Sequence, residues 1–120
     1  GLEPFLVSAV TRGEETLYEA SAQKTDRIMS ESTAQTLQQY LRNNVQTIYG
    51  DGNFPGFSVC AKSGTSQLGG GKRSNAMFTG FLMDEEYPLA FIVVVENGGY
   101  GASACVPVLS QVLRVVKSVL

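Results

Sequence analysis

Seven consecutive apolar residues, Leu89-Ala90-Phe91-Ile92-Val93-Val94-Val95, constrain this chain most. Successive side chains of a strand point to opposite faces, so a strand that is apolar on both parities needs cover on both. The run is therefore expected as a central strand between two layers. It is far too short to span a bilayer, which takes about 20 residues. Two further β-prone runs precede it, Phe57 to Thr65 and Asn75 to Met83. Their connections, Gln67–Ser74 and Asp84–Pro88, are short, so the three form an antiparallel meander. Gly80, inside the second run, marks a bulge or a close approach.

Helical periodicity appears on either side of the meander. Ser30 is a good N-cap, with Glu31 in the first turn and Met29 placed to staple onto Ala34. Ala34, Leu37, Leu41, Val45 and Ile48 follow at helical spacing and predict one apolar face. Gly50 stops that helix, and Asp51–Gly56 is a loop. A last helix begins near Ser103 or Ala104, with Pro107 tolerated only if it lies close to the first turn. Its stripe is Cys105, Leu109, Val112, Leu113, Val116 and Leu120. At the other end, Phe5–Val10 and Thr16–Glu19 flank the turn signal Arg12-Gly13-Glu14-Glu15, which predicts a hairpin. Ser21 to Arg27 reads as polar and irregular. The fold class expected is α/β of the α+β type: an antiparallel sheet with an N-terminal hairpin and flanking helices.

Composition narrows the chemistry. The 120 residues suit one domain, here a single segment 1–120, and carry a net charge of -2 with no strong run of either sign. That argues against nucleic acid as the main partner. There is no histidine, which removes Ser-His-Asp and Cys-His catalysis and most zinc sites. Cys60 and Cys105 stand too far apart for a metal motif.

The chemically richest stretch is Val59-Cys60-Ala61-Lys62-Ser63-Gly64-Thr65-Ser66. Lys62 supplies positive charge, Ser63 and Thr65 supply hydroxyls, and Gly64 lets something approach the backbone. The plain alternative is an edge strand with a gatekeeper Lys. With the surrounding pattern, Gly69-Gly70-Gly71, Phe78-Thr79-Gly80-Phe81 and Val95-Glu96-Asn97-Gly98-Gly99, the stretch resembles the C-terminal half of a penicillin-binding protein transpeptidase domain. The close match runs from Phe57 to Leu113; residues 1–56 agree only in pattern.

The resemblance implies that the Lys62 strand walls an active-site cleft. Lys62 would hold positive charge near a catalytic serine and the substrate carboxylate. Ser63 and Thr65 would hydrogen-bond that carboxylate, and the Thr65 backbone N–H would be an oxyanion-hole donor. Gly64 would let the substrate lie against the strand and bind partly as an added strand. The family also needs Ser-x-x-Lys and Ser-x-Asn. This chain has no Ser-x-Asn, and its one Ser-x-x-Lys, Ser21-Ala22-Gln23-Lys24, falls in a polar connection rather than opening a buried helix. The chain is therefore expected to be the C-terminal part of such a domain, unable to acylate on its own.

Other features read as structural. Gly69-Gly70-Gly71-Lys72 fails the Walker pattern, because Ser66 and Arg73 stand where Gly and Ser or Thr are required. Asp84-Glu85-Glu86 reads as a solvated loop tip. Glu96 is expected to bond nearby backbone. Strand parity puts Cys60 on the Lys62 face, away from the face of Val59 and Ala61 that the last helix should cover, so free thiols are expected.

By resemblance the whole protein is a peptidoglycan D,D-transpeptidase, outside the cytoplasmic membrane, with stem peptides and β-lactams as ligands and no cofactor or metal. The alternative is a non-catalytic β-lactam-sensing or interaction module of the same fold. In the resembled fold, Leu89–Val95 pairs on its far side with an N-terminal strand from the rest of the domain. Here the edge is expected to be covered by the hairpin Phe5–Glu19 or by a second copy of the chain.

Overall fold

The computed structural model describes residues 1–120, which separate into two compact units, Gly1–Ala34 and Gln35–Leu120. Helix and antiparallel sheet are both present, as the patterning predicts.

In the first unit, β1 (Leu2–Glu3) pairs antiparallel with β4 (Gln23–Lys24), and β2 (Ala9–Arg12) pairs with β3 (Glu15–Glu19). The hairpin is thus where its turn signal puts it, but its first strand starts at Ala9, not Phe5. The Ser21–Arg27 segment is not wholly irregular, since it contributes β4. The hairpin pairs only within itself and does not extend the larger sheet. Helix α1 (Glu31–Asn44) is capped as expected: the Thr33 N–H donates to Ser30 Oγ at 3.1 Å.

The second unit holds the core. Strands β5 (Val59–Ser66), β6 (Asn75–Leu82) and β7 (Ala90–Val95) form an antiparallel meander in the order β5-β6-β7. Ala61 faces Gly80, and Gly80 faces Phe91. A side chain at Gly80 would run into the Cys60 carbonyl, which is the close approach that this glycine signals. Helix α2 (Gly101–Val119) covers the face carrying Val59, Ala61, Ala76 and Phe78; its Cys105, Val106, Leu109 and Leu113 complete the core with Val45, Tyr49, Phe54 and Phe57.

Several expectations are corrected. Strand β7 is an edge strand, not a central one: Ile92 is 63% and Val94 50% exposed, while Phe91 and Val93 turn toward the core. The apolar run correctly marks a strand, but this chain covers it on one face only. Helix α2 starts at Gly101, so Pro107 lies inside the helix rather than in its first turn, and the Ser103 carbonyl loses its usual donor. Val112 and Leu120 of the expected stripe are exposed.

Helix α1 also departs from expectation. It ends in a π turn, Val45–Tyr49, closed by a bond of 2.8 Å from the Gly50 N–H to the Val45 carbonyl. The wider turn brings Tyr49 inward and leaves Ile48 69% exposed, so the helical spacing that selected Ile48 fails by one residue. Leu37 is also exposed. Finally, the loop ends are held by other side chains than expected. Asp84 is not simply solvated, because its Oδ2 accepts the Ser58 N–H at 2.7 Å. Glu96 makes no backbone bond; its turn is tied by Asn75 Oδ1, which accepts the Asn97 N–H at 3.0 Å, and by the Ser74 carbonyl, which accepts from Gly99.

Candidate active site

Backbone parity decides what β5 can offer. The Met83 N–H donates to the Ser58 carbonyl, so Ser58, Cys60, Lys62 and Gly64 turn their backbone groups toward β6. Val59, Ala61, Ser63 and Thr65 turn theirs outward, onto a free edge. Side chains from α1 and its π turn occupy that edge in sequence. Arg42 Nη1 donates to the Val59 carbonyl at 3.0 Å, and Asn44 Nδ2 to the Ala61 carbonyl at 3.2 Å. The Tyr49 hydroxyl accepts the Ser63 N–H at 2.9 Å. A helix thus stands in for a fourth strand as far as Ser63, and the backbone edge opens at Thr65.

The four motif residues surround this opening. The Lys62 ammonium is exposed and donates to the Ser63 carbonyl at 2.8 Å. Ser63 is half-buried, and its Oγ accepts from the Tyr49 hydroxyl at 3.0 Å. Thr65 is exposed. A Cβ built on Gly64 would meet only the Met77 Cβ, at 3.8 Å, so that side of the strand is open. On the other side, α2 begins against the same pair: a Cβ on Gly101 would collide with the Gly64 carbonyl. Lys62 and Gly64 share one face of β5, and Ser63 and Thr65 share the other. Lys62 and Ser63 are tied to the outer edge, through the Ser63 carbonyl and the Tyr49 hydroxyl, and with the outward Thr65 N–H they suit an anionic ligand.

The supporting frame is rigid. The Tyr49 ring meets Phe78 edge-on, with centroids 5.0 Å apart and planes at 88°. Arg42 is fixed by two parallel bonds of 2.7 Å to Asp51. The Asp51 bond raises the Arg42 pKa, and the Arg42 bond holds the Asp51 carboxyl below its ordinary value. Cys60 is fully buried beside Lys62, and burial pushes its thiol up; Cys105 is buried likewise, and neither is in a disulfide. A raised, buried thiol is a poor nucleophile.

Arg42, Asn44 and Tyr49 are the residues that reading the sequence misses. A signal was there: Arg42-Asn43-Asn44 puts two asparagines inside a helix, where they are poor formers and need another reason to be present. Ser21 and Lys24, the one Ser-x-x-Lys, lie in and beside strand β4, with Ser21 Oγ accepting from Gln23 Nε2 at 2.8 Å. No helix opens at Ser21.

The sequence model of the penicillin binding protein transpeptidase domain matches residues 2–114. The chain belongs to this family. Among solved structures it is similar to penicillin-binding protein A of M. tuberculosis as a ceftriaxone acyl-enzyme complex, with 20% identity and a TM-score of 0.78 over 94% of this chain. It is also similar to the D,D-transpeptidase domain of a peptidoglycan glycosyltransferase from Eggerthella lenta, with 26% identity and a TM-score of 0.73 over 98% of this chain. The penicillin-binding family fold is therefore shared, and this chain spans 27% and 29% of those two chains. No curated protein matches the sequence.

Proposed function

We infer that this chain supplies one wall of a serine acyl-transfer site in a penicillin-binding D,D-transpeptidase. The reaction begins when a serine oxygen attacks the penultimate D-alanine carbonyl of a peptidoglycan stem peptide. The terminal D-alanine leaves, an acyl-enzyme forms, and an amine of a second stem peptide takes the acyl group and releases the serine. The serine and its Ser-x-x-Lys and Ser-x-Asn partners come from outside these 120 residues, and this chain alone is inactive.

In this reading Lys62 holds positive charge beside the serine and the substrate carboxylate. The hydroxyls of Ser63 and Thr65 bind that carboxylate, and Gly64 keeps the strand face clear. The Thr65 N–H stabilises the oxyanion that develops on the attacked carbonyl. A β-lactam, which carries both a reactive amide carbonyl and a carboxylate, occupies the same place. The observation that supports this most is the β5 edge: α1 satisfies it as far as Ser63 and leaves it open at Thr65. An extended ligand adds there as a short strand. The bare edge of β7 receives the rest of the transpeptidase domain or, in the isolated chain, a second copy. The substrate places the site outside the cytoplasmic membrane.

The test is intact mass after incubation with a labelled penicillin, for this chain and for the full-length gene product in parallel. Label on the full-length protein alone supports the reading. Label on this chain would assign the nucleophile to one of its own serines. Label on neither would leave a non-catalytic module of the same fold.

A further inference from the structure

We propose that Tyr49 is a positioning residue that presets the Ser63 hydroxyl to donate to a ligand carboxylate at the open end of β5. The proposal rests on the reading of β5 as the active-site strand and adds a residue to it.

The geometry is a two-point clasp on one residue. The Tyr49 hydroxyl takes the Ser63 N–H at 2.9 Å and gives its own proton to Ser63 Oγ at 3.0 Å. A phenol has one proton, and this one is committed to Ser63 Oγ. The Ser63 proton therefore has no use toward Tyr49 and is left for an acceptor outside. An anion arriving there meets a hydroxyl already turned as a donor, beside the Lys62 ammonium on the Ser63 carbonyl. Hydrogen bonds in such a chain polarise one another, which strengthens the outer one.

The clasp is held in place. Tyr49 is 8% exposed, its ring is fixed against Phe78, and the π turn that ends α1 sets its direction. It also sets register. Because the Ser63 N–H is already taken, a ligand adding to the edge cannot pair with it, and its backbone pairing starts at Thr65.

The experiment uses the full-length gene product and a labelled penicillin, with acylation separated into affinity and the acylation rate constant. Tyr49→Phe keeps the ring packing and removes the clasp. Affinity is expected to fall about five- to tenfold, with the rate constant held within twofold. In a Ser63→Ala background the same change is expected to cost less than twofold, and in Ser63→Thr, which keeps a hydroxyl, the full loss returns. With the methyl ester of the same penicillin, wild type and Tyr49→Phe are expected to agree within twofold. Should Tyr49→Phe not fold, fluorotyrosine incorporation takes its place: a stronger phenol donor must tighten binding in wild type and not in Ser63→Ala. Normal affinity in Tyr49→Phe, an equal loss in the Ser63→Ala background, or an equal loss with the ester would each overturn the proposal while leaving the active-site reading intact. A wild type that takes no label would overturn that reading and this proposal together.

Discussion

Arg42 and Asp51 are joined by two parallel bonds of 2.7 Å, and the same Arg42 nitrogen that grips Asp51 also donates to the Val59 carbonyl on the edge of β5. The carboxylate thus steadies the strand through the guanidinium. Asp51 has a folded pKa below its unfolded value, so its contribution is present above the unfolded pKa and is lost as pH falls through the folded one. Asp51 is 41% exposed and Arg42 18%, so solvent screening limits the effect to about 1 kcal/mol. Asp51→Asn is expected to unfold earlier than wild type at pH 7. The gap should close as pH drops below about 4, the ordinary carboxylate pKa. Denaturant titrations of both proteins across pH 3–7 check this; a gap independent of pH would assign the effect to packing.

Gly101 lies where the start of α2 presses on the Gly64–Met77 pair, and an added Cβ would meet the backbone carbonyls of both residues. Backbone cannot move aside as a flexible side chain can. Gly101→Ala is expected to cost about 1–3 kcal/mol, in the range of overpacked cores. It should also lower penicillin acylation of the full-length protein, because the residue pushed is Gly64. Unfolding and acylation measured on the same preparation test the link.

Thr65 offers an unusually clean substitution. Its N–H points away from β6, so replacing it by proline removes no ladder bond, and Gly64 before it is already extended. As an oxyanion donor, that N–H is expected to be worth about 10²–10³ in acylation rate. Thr65→Pro should therefore acylate slower to that degree than Thr65→Ala, which loses the hydroxyl alone, while its unfolding midpoint stays close to wild type. Retained acylation would remove Thr65 from the oxyanion hole.

Strand β7 presents the outward backbone groups of Ala90, Ile92 and Val94 with no charge or proline to blunt them. Two copies can pair antiparallel about Ile92. The 120-residue chain is expected to self-associate at micromolar concentration in sedimentation velocity. Ile92→Lys, at a site already 63% exposed, should return it to monomer with stability changed by less than about 0.5 kcal/mol. A wild-type monomer at high concentration would show the edge to be harmless.

What the sequence makes legible is what depends on neighbours along the chain. Ser30 caps a helix, Gly50 ends it, and Gly80 announces the carbonyl pressed against it. The motif strand is legible because Lys62, Ser63, Gly64 and Thr65 stand within the Gly69-Gly70-Gly71 and Phe78-Thr79-Gly80-Phe81 pattern; alone they would read as an edge strand with a gatekeeper Lys. Contacts made at a distance are harder to see. Nothing local tells that Asp84 accepts the Ser58 N–H, or that α1 sends Arg42, Asn44 and Tyr49 to one strand edge. The choice of Tyr49 over Ile48 turns on one extra residue in a turn, which a fixed helical period cannot register. Strand β7 is read correctly as a strand and wrongly as covered on both faces, because periodicity reports what a face requires and not what is there to meet it.

The two cysteines turn this architecture into a pair of clocks. Cys60 lies under one face of the sheet and Cys105 under the other, both fully buried and both with thiols less acidic than normal. Neither reacts with an alkylating reagent until its own layer lifts. Their separate modification rates, read by mass at each site, time the opening of each face of the sheet without any introduced label. A ligand that settles on the motif strand would slow the first clock and leave the second running.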